Sequence, residues 1–207
     1  MTQITSGIRS VLSSPGVYDF LQVMLGGINA RKRVCEDYLT LSVGDNIVDI
    51  GCGTATTLKF LPEHINYYGF DLSPEYIESA KRNYGHLGTF HCKYVTLLEA
   101  DEMPSCRYAL AMGVLHHLDD EGSRRLIDSV YDRLAPGGSM IMLDPVYEPG
   151  QSRIAYELIR RDRGQNVRTR EGYLGLVSPR YSRTSIEIHH DYLHVPYTLG
   201  VMQAVKA

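Results

Sequence analysis

Val48-Asp49-Ile50-Gly51-Cys52-Gly53-Thr54-Ala55, with Asp71 twenty residues after Gly51, is the stretch whose reading decides the fold. Ile47 to Ile50 is a short, mostly apolar run, the pattern of a parallel strand buried on both faces. The glycines that close it let a ligand approach the backbone where a Cβ would collide. Asp71 ends the next apolar run, Tyr67 to Phe70, where a carboxylate can accept hydrogen bonds from both hydroxyls of a ribose. A tight turn followed by an acidic helix cap is the plainer alternative.

Working outward, the chain alternates strands and helices. A helix is expected from Thr56 to Leu61, ended by Pro62. Ser73-Pro74-Glu75 is a strong helix start, with a hydroxyl cap, proline at the first position and an acid in the first turn. That helix should stop at Gly85. Further strands are expected at Thr89–Cys92, Tyr108–Val114 and Ser139–Leu143. Between the last two, a helix capped by Asp119 or Asp120 presents Leu126, Ile127, Val130, Tyr131 and Leu134, and Pro136-Gly137-Gly138 ends it. Ser185–Ile188 and Thr198–Val205 have no helix between them and predict an antiparallel hairpin. The fold class is therefore α/β: a Rossmann-like, mostly parallel sheet with helices on both faces. Residues 1–42 read as a helical cap, with Val17, Phe20, Leu21 and Met24 at helix spacing, an interruption at Gly26-Gly27, and Ile28, Val34, Tyr38 and Leu39 beyond it. Residues 43–145 form the binding core, 146–183 an arginine-rich lid insertion, and 184–207 the terminal hairpin, all within one domain.

The chain has 207 residues, 43% hydrophobic and 22% charged, enough for one domain with a full core. Its four cysteines, Cys35, Cys52, Cys92 and Cys106, make no C-x-x-C pair, which argues against a zinc or disulfide framework and for a reducing, cytoplasmic setting. No membrane span or signal peptide is legible. A net charge of −3 lacks the basic footprint of a nucleic-acid binder. Charge is nonetheless segregated: residues 151–183 carry eight arginines against three acids, +5, and the remainder carries −8. No metal ligand set is expected, and His189-His190 has no partner at ligand spacing.

A dinucleotide site would want G-x-G-x-x-G, and Thr56 stands at the third glycine. The turn instead resembles the glycine motif of the class I S-adenosylmethionine-dependent methyltransferases. The resemblance continues through Asp71-Leu72-Ser73-Pro74, Met112-Gly113-Val114-Leu115-His116-His117-Leu118 and Leu134-Ala135-Pro136-Gly137-Gly138, and covers residues 46 to 145. It implies a seven-stranded sheet with an antiparallel final hairpin. It also implies S-adenosyl-L-methionine as cofactor, leaving S-adenosyl-L-homocysteine as product. Gly51, Cys52 and Gly53 would then lie along its methionine part, with Asp49 supporting the turn. Asp71 would take the ribose, Leu72 and Ser73 would flank the adenine side, and Met112 would approach through its backbone. Ala55 replaces a frequent third glycine, a change compatible with helical backbone. The family's acid after the third strand is replaced in Phe90-His91-Cys92-Lys93-Tyr94-Val95, so Tyr94 is expected to stack on adenine or to offer its backbone. Arg31 is a candidate for the cofactor carboxylate.

On the acceptor side, His117 is the candidate general base, with packing or helix capping as the competing role for the His116-His117 pair. Asp144 and Tyr147 share the rim beyond the fifth strand. Arginine forks suit phosphate or carboxylate, so Arg160 and Arg168, with Tyr18 and Tyr147, are the expected contacts of a small anionic acceptor. Residues 162–169 and 191–198 look similar to methyltransferases of bacterial surface-polysaccharide (O-antigen) synthesis, which implies O-methylation of a sugar-containing acceptor. Two other classes stay open: a cofactor-binding protein without turnover, and a nicotinamide-dependent oxidoreductase.

Overall fold

The computed structural model describes residues 26–94, 103–162 and 164–207. The expected helical run Val17–Met24, with Tyr18, lies outside the described residues, as does Arg163. The described chain opens with α1 (Gly27–Tyr38), after the interruption read from the glycine pair, and runs into β1 (Asn46–Ile50). The predicted helix after the glycine turn is instead a short 3-10 turn, Thr56–Phe60. Its Ala55 N-cap has φ 60°, a left-handed backbone rather than the expected helical one. Leu61, directly before Pro62, is extended, as residues preceding proline prefer, and the turn stops there.

The remaining elements follow the alternation. They are β2 (Asn66–Asp71), α2 (Pro74–Tyr84), β3 (Gly88–Cys92), β4 (Cys106–Met112), α3 (Asp120–Arg133) and β5 (Leu134–Tyr147). Then come α4 (Arg153–Arg160), a two-residue β6 (Arg168–Thr169), α5 (Arg170–Leu174), β7 (Arg183–His189) and β8 (Leu199–Val205). Caps act where the sequence put them at Ser73, whose Oγ accepts from Tyr76 N, and at Asp119, which accepts from Gly122 N; Thr169 also caps α5, accepting from Gly172 N.

The sheet runs β3-β2-β1-β4-β5-β8-β7, with β6 pairing the end of β5. The first five are parallel; β8 is antiparallel to both β5 and β7. Side chains alternate between two cores. Val48, Ile50, Ala109, Met140 and Met142 face Leu126, Ile127 and Val130 of α3. Ile47, Tyr67, Leu110 and Ile141 face Ala30 and Val34 of α1 and Ile77 of α2. Helices thus cover both faces, which a parallel sheet requires.

Strand order reverses between β1 and β4, so the binding crevice opens beyond their carboxyl ends. β5 overshoots β4: Met112 ends β4 opposite Leu143, and Asp144 to Tyr147 continue above the rim. The β7–β8 loop reaches the same rim and holds α1, through Arg33 Nη1 to Asp191 Oδ2 at 2.7 Å and Asn29 Nδ2 to the Tyr192 carbonyl at 3.3 Å. Among the described residues, no helix is long and apolar enough to cross a membrane.

Candidate cofactor and acceptor site

The turn after β1 is stitched to β2. Gly51 and Cys52 both donate their N–H to the Phe70 carbonyl, at 2.7 and 3.0 Å. Gly51 and Gly53 take φ of +69° and +56°. A Cβ on Gly51 would come within 2.7 Å of Val114 Cγ2, so a side chain there would fill the crevice between the β1 and β4 loops.

Asp71 braces this turn. Its Oδ2 accepts from Gly53 N at 2.9 Å and its Oδ1 from Ser73 N at 2.8 Å. Each carboxylate oxygen has two lone pairs, so one acceptor position per oxygen is left for sugar hydroxyls. Burial raises its pKa, against the backbone donors that lower it. Beside it, Leu72 and Tyr94 are large apolar side chains left exposed at the ends of β2 and β3. The arrangement fits a ribose held at Asp71 with a flat base against Leu72 and Tyr94.

Beneath the turn lies Asp49, buried, with its Oδ2 accepting from Tyr67 Oη at 2.6 Å. Burial lifts its pKa to about 6, while Tyr67 and the Arg31 guanidinium oppose the rise. The Arg31 guanidinium is thus within electrostatic reach of Asp49 beneath the turn. Cys52 is a core spacer: its Sγ lies where a Cβ on Gly69 would fall (2.9 Å), and burial holds the thiol well above its ordinary pKa. Any part Cys52 plays toward a cofactor therefore falls to its backbone. Met112, which ends β4, is buried.

The histidine pair divides its labour in a way the sequence did not reveal. His116 is buried in a 3-10 turn (Leu115–His117), with Nδ1 2.6 Å from Asp144 Oδ1, which also accepts from His116 N at 3.1 Å. On its other side, Nε2 lies 3.4 Å from Asp162 Oδ1. Asp162 in turn accepts from Tyr197 Oη at 2.8 Å. Asn166 N donates to the His116 carbonyl at 3.0 Å, and a Cβ on Gly164 would fall 1.8 Å from His116 Cδ2. Only glycine lets this backbone lie on the imidazole, so the segment around Asp162 is clamped onto His116. Burial lowers the His116 pKa, but the two carboxylates outweigh it and raise it to about 9. At neutral pH this ring is an imidazolium pin. It has no lone pair for base catalysis. His117, half-buried, lies against it with ring centroids 4.0 Å apart.

A pH dependence of stability follows. The folded pKa of His116 lies above the ordinary value of 6.5, so its contribution is complete below pH 6.5 and is lost as pH rises through about 9. The expected loss between pH 6.5 and 8.5 is about 2 kcal/mol. Urea unfolding across that range should give this slope in the wild type and a nearly flat line in His116→Gln. Equal slopes would mean the ring is neutral in the folded protein.

The acceptor candidates separate. Arg168 is not available as an anion contact, because its guanidinium is already engaged. It donates to the carbonyls of Leu115, Leu118 and Asn166 at 2.8–3.1 Å and to Asp120 Oδ1 at 2.8 Å, tying β6 to the histidine turn. Arg160 is exposed and grips Glu157 with two bonds of 2.8 and 2.9 Å. Tyr147 lies half-buried above the rim against Tyr156, with ring centroids 5.4 Å apart. Together with Arg153 it lines an open cavity of about 640 Å³.

Residues 48–140 match the family model of a methyltransferase domain. No curated protein matches the chain. Among solved structures, human N-acetylserotonin methyltransferase in complex with SAM is similar at TM-score 0.68 and 18% identity, covering 93% of this chain and 55% of that one. Phosphoethanolamine N-methyltransferase 2 from Haemonchus contortus, in complex with phosphomonomethylethanolamine and S-adenosylhomocysteine, is similar at TM-score 0.76 and 14% identity, covering 95% and 58%. The [4+2]-cyclase SpnF gives TM-score 0.66 and 18% identity, covering 86% and 80%. The chain thus spans little more than half the length of the first two. The shared feature is the fold.

Proposed function

We propose that this chain is an S-adenosylmethionine-dependent methyltransferase acting on an oxygen of a small, anionic acceptor. The observation that carries this reading is the left-handed glycine turn tied to Asp71, beside exposed Leu72 and Tyr94. The methyltransferase domain match and the cofactor-bound neighbours of the same fold support it. The likeness of residues 162–169 and 191–198 to O-antigen methyltransferases supports a sugar-containing acceptor. A neighbour that holds phosphomonomethylethanolamine supports an anionic one.

When bound, the sulfonium cofactor supplies a methyl group on a good leaving group, so the protein's work is mainly alignment, worth roughly 7–11 kcal/mol in favourable cases. Gly51, Gly53 and Asp71 would hold the donor side, and Arg31 is the candidate partner of its carboxylate. An acceptor hydroxyl must lose its proton as the O–CH3 bond forms. With His116 cationic and clamped, that proton goes to His117.

His117→Ala should lower the turnover of labelled methyl transfer by about 10²–10⁴ while leaving S-adenosylhomocysteine affinity unchanged. Retained turnover across pH 6–9 would remove His117 from the mechanism. Saturable cofactor binding with no transfer to any of a panel of sugar nucleotides, carboxylates and phenols would favour the second reading, a cofactor-binding protein without methyl transfer.

A further inference from the structure

Charge segregation in the sequence pointed at the arginine-rich stretch as a whole, but most of its described arginines are committed to partners. Arg160 and Arg161 are both paired to Glu157, Arg168 to Asp120, Arg170 to Glu148 and Arg180 to Asp132. Arg153 lines the cavity and has no hydrogen-bond or ion-pair partner among the described residues. The other groups there leave an incomplete surface. The Tyr147 and Tyr156 rings meet at 47°, and neither hydroxyl has a partner among the described residues. Gln151 is occupied, accepting from Glu148 N at 2.7 Å and donating to Thr198 Oγ1 at 3.4 Å. The two carboxylates that line the cavity are already paired, Glu157 with Arg160 and Arg161 and Glu148 with Arg170.

From this we infer that the cavity is the acceptor's anchoring subsite: Arg153 takes a phosphate and the Tyr147–Tyr156 pair takes the face of the ring that bears it. The inference deepens the methyl-transfer reading and rests on it for the word acceptor. A planar fork binds phosphate with two parallel bonds, and tyrosine rings offer a large contact face at low entropic cost. The location also sets a size. β5 stands two strands from β1, at about 4.8 Å per strand, and Tyr147 lies four residues of about 3.3 Å beyond the level of Gly51, so the anchored ring lies on the order of 15 Å from the glycine turn. The acceptor is therefore an extended molecule, held at its phosphate end and methylated at the other.

Calorimetric titration of phenyl phosphate, glucose 1-phosphate and inorganic phosphate into the full chain, with and without S-adenosylhomocysteine, tests this. At least one ring phosphate should bind tenfold or more tightly than inorganic phosphate, phenyl phosphate marking an aromatic acceptor and glucose 1-phosphate a sugar. Arg153→Gln should weaken that binding at least tenfold. Tyr156→Ala should weaken the ring phosphate while leaving inorganic phosphate unchanged. Both residues are exposed, and each variant should keep the wild-type S-adenosylhomocysteine affinity. Ring phosphates binding no more tightly than inorganic phosphate, or indifferent to Arg153→Gln, would overturn the subsite. Failure of the wild type to bind S-adenosylhomocysteine would instead strike the methyl-transfer reading, and the titrations without it would still decide the subsite.

Discussion

Asp71→Ala is expected to lose at least a hundredfold in affinity for S-adenosylhomocysteine. Two charge-assisted bonds to ribose hydroxyls, at about 1.5–3 kcal/mol each, set that scale. The structure adds a second consequence. Because Asp71 also accepts from Gly53 N and Ser73 N, the variant leaves two backbone donors to find water, and the turn after β1 loses its brace. A modest drop in melting temperature should accompany the loss of affinity. Calorimetric titration with parallel thermal unfolding measures both, and unchanged affinity with a lowered melting temperature would reduce Asp71 to the brace alone.

The second large effect is on stability. Asp144→Ala removes the carboxylate that accepts from both the ring and the backbone N of His116, leaving a buried imidazolium facing Asp162 alone. Breaking a buried pair from one side costs about 3–5 kcal/mol, a large share of the roughly 5–15 kcal/mol available to a domain. The site is demanding even when intact, since Asp144 Oδ2 is buried without a hydrogen-bond partner. Urea unfolding should also find His116→Gln combined with Asp144→Asn less destabilised than the sum of the two single changes, because the uncompensated charge is gone. A loss below about 1 kcal/mol in Asp144→Ala would mean water reaches the pair and screens it.

Where the sequence could be read, the controlling interactions were local. Ser73 and Asp119 cap their helices three residues ahead, and the alternation of apolar runs with capped helices dictates a parallel sheet. The glycine turn and Asp71 were legible because strand ends at a topological switch point have a fixed geometric meaning. The rest depended on contacts across the chain. Nothing in a single sequence marks Arg168 as a strut for the carbonyls of Leu115 and Leu118, some fifty residues earlier. Asp162, forty-six residues from His116, carries no pattern that announces a second carboxylate on that ring. The difference between His116 and His117 is one step around a 3-10 turn, which periodicity does not resolve. Gly164 was a signal available in the sequence; its meaning, close backbone approach to His116, needed the fold. Ala55 shows the opposite case, a non-glycine held at φ 60° where glycine would be expected.

Titration of the full chain with S-adenosylhomocysteine and, separately, with a nicotinamide dinucleotide tests the central claim most directly. The glycine turn braced by Asp71 predicts saturable one-to-one binding of S-adenosylhomocysteine and none of the dinucleotide. Saturable binding of the dinucleotide alone would contradict it.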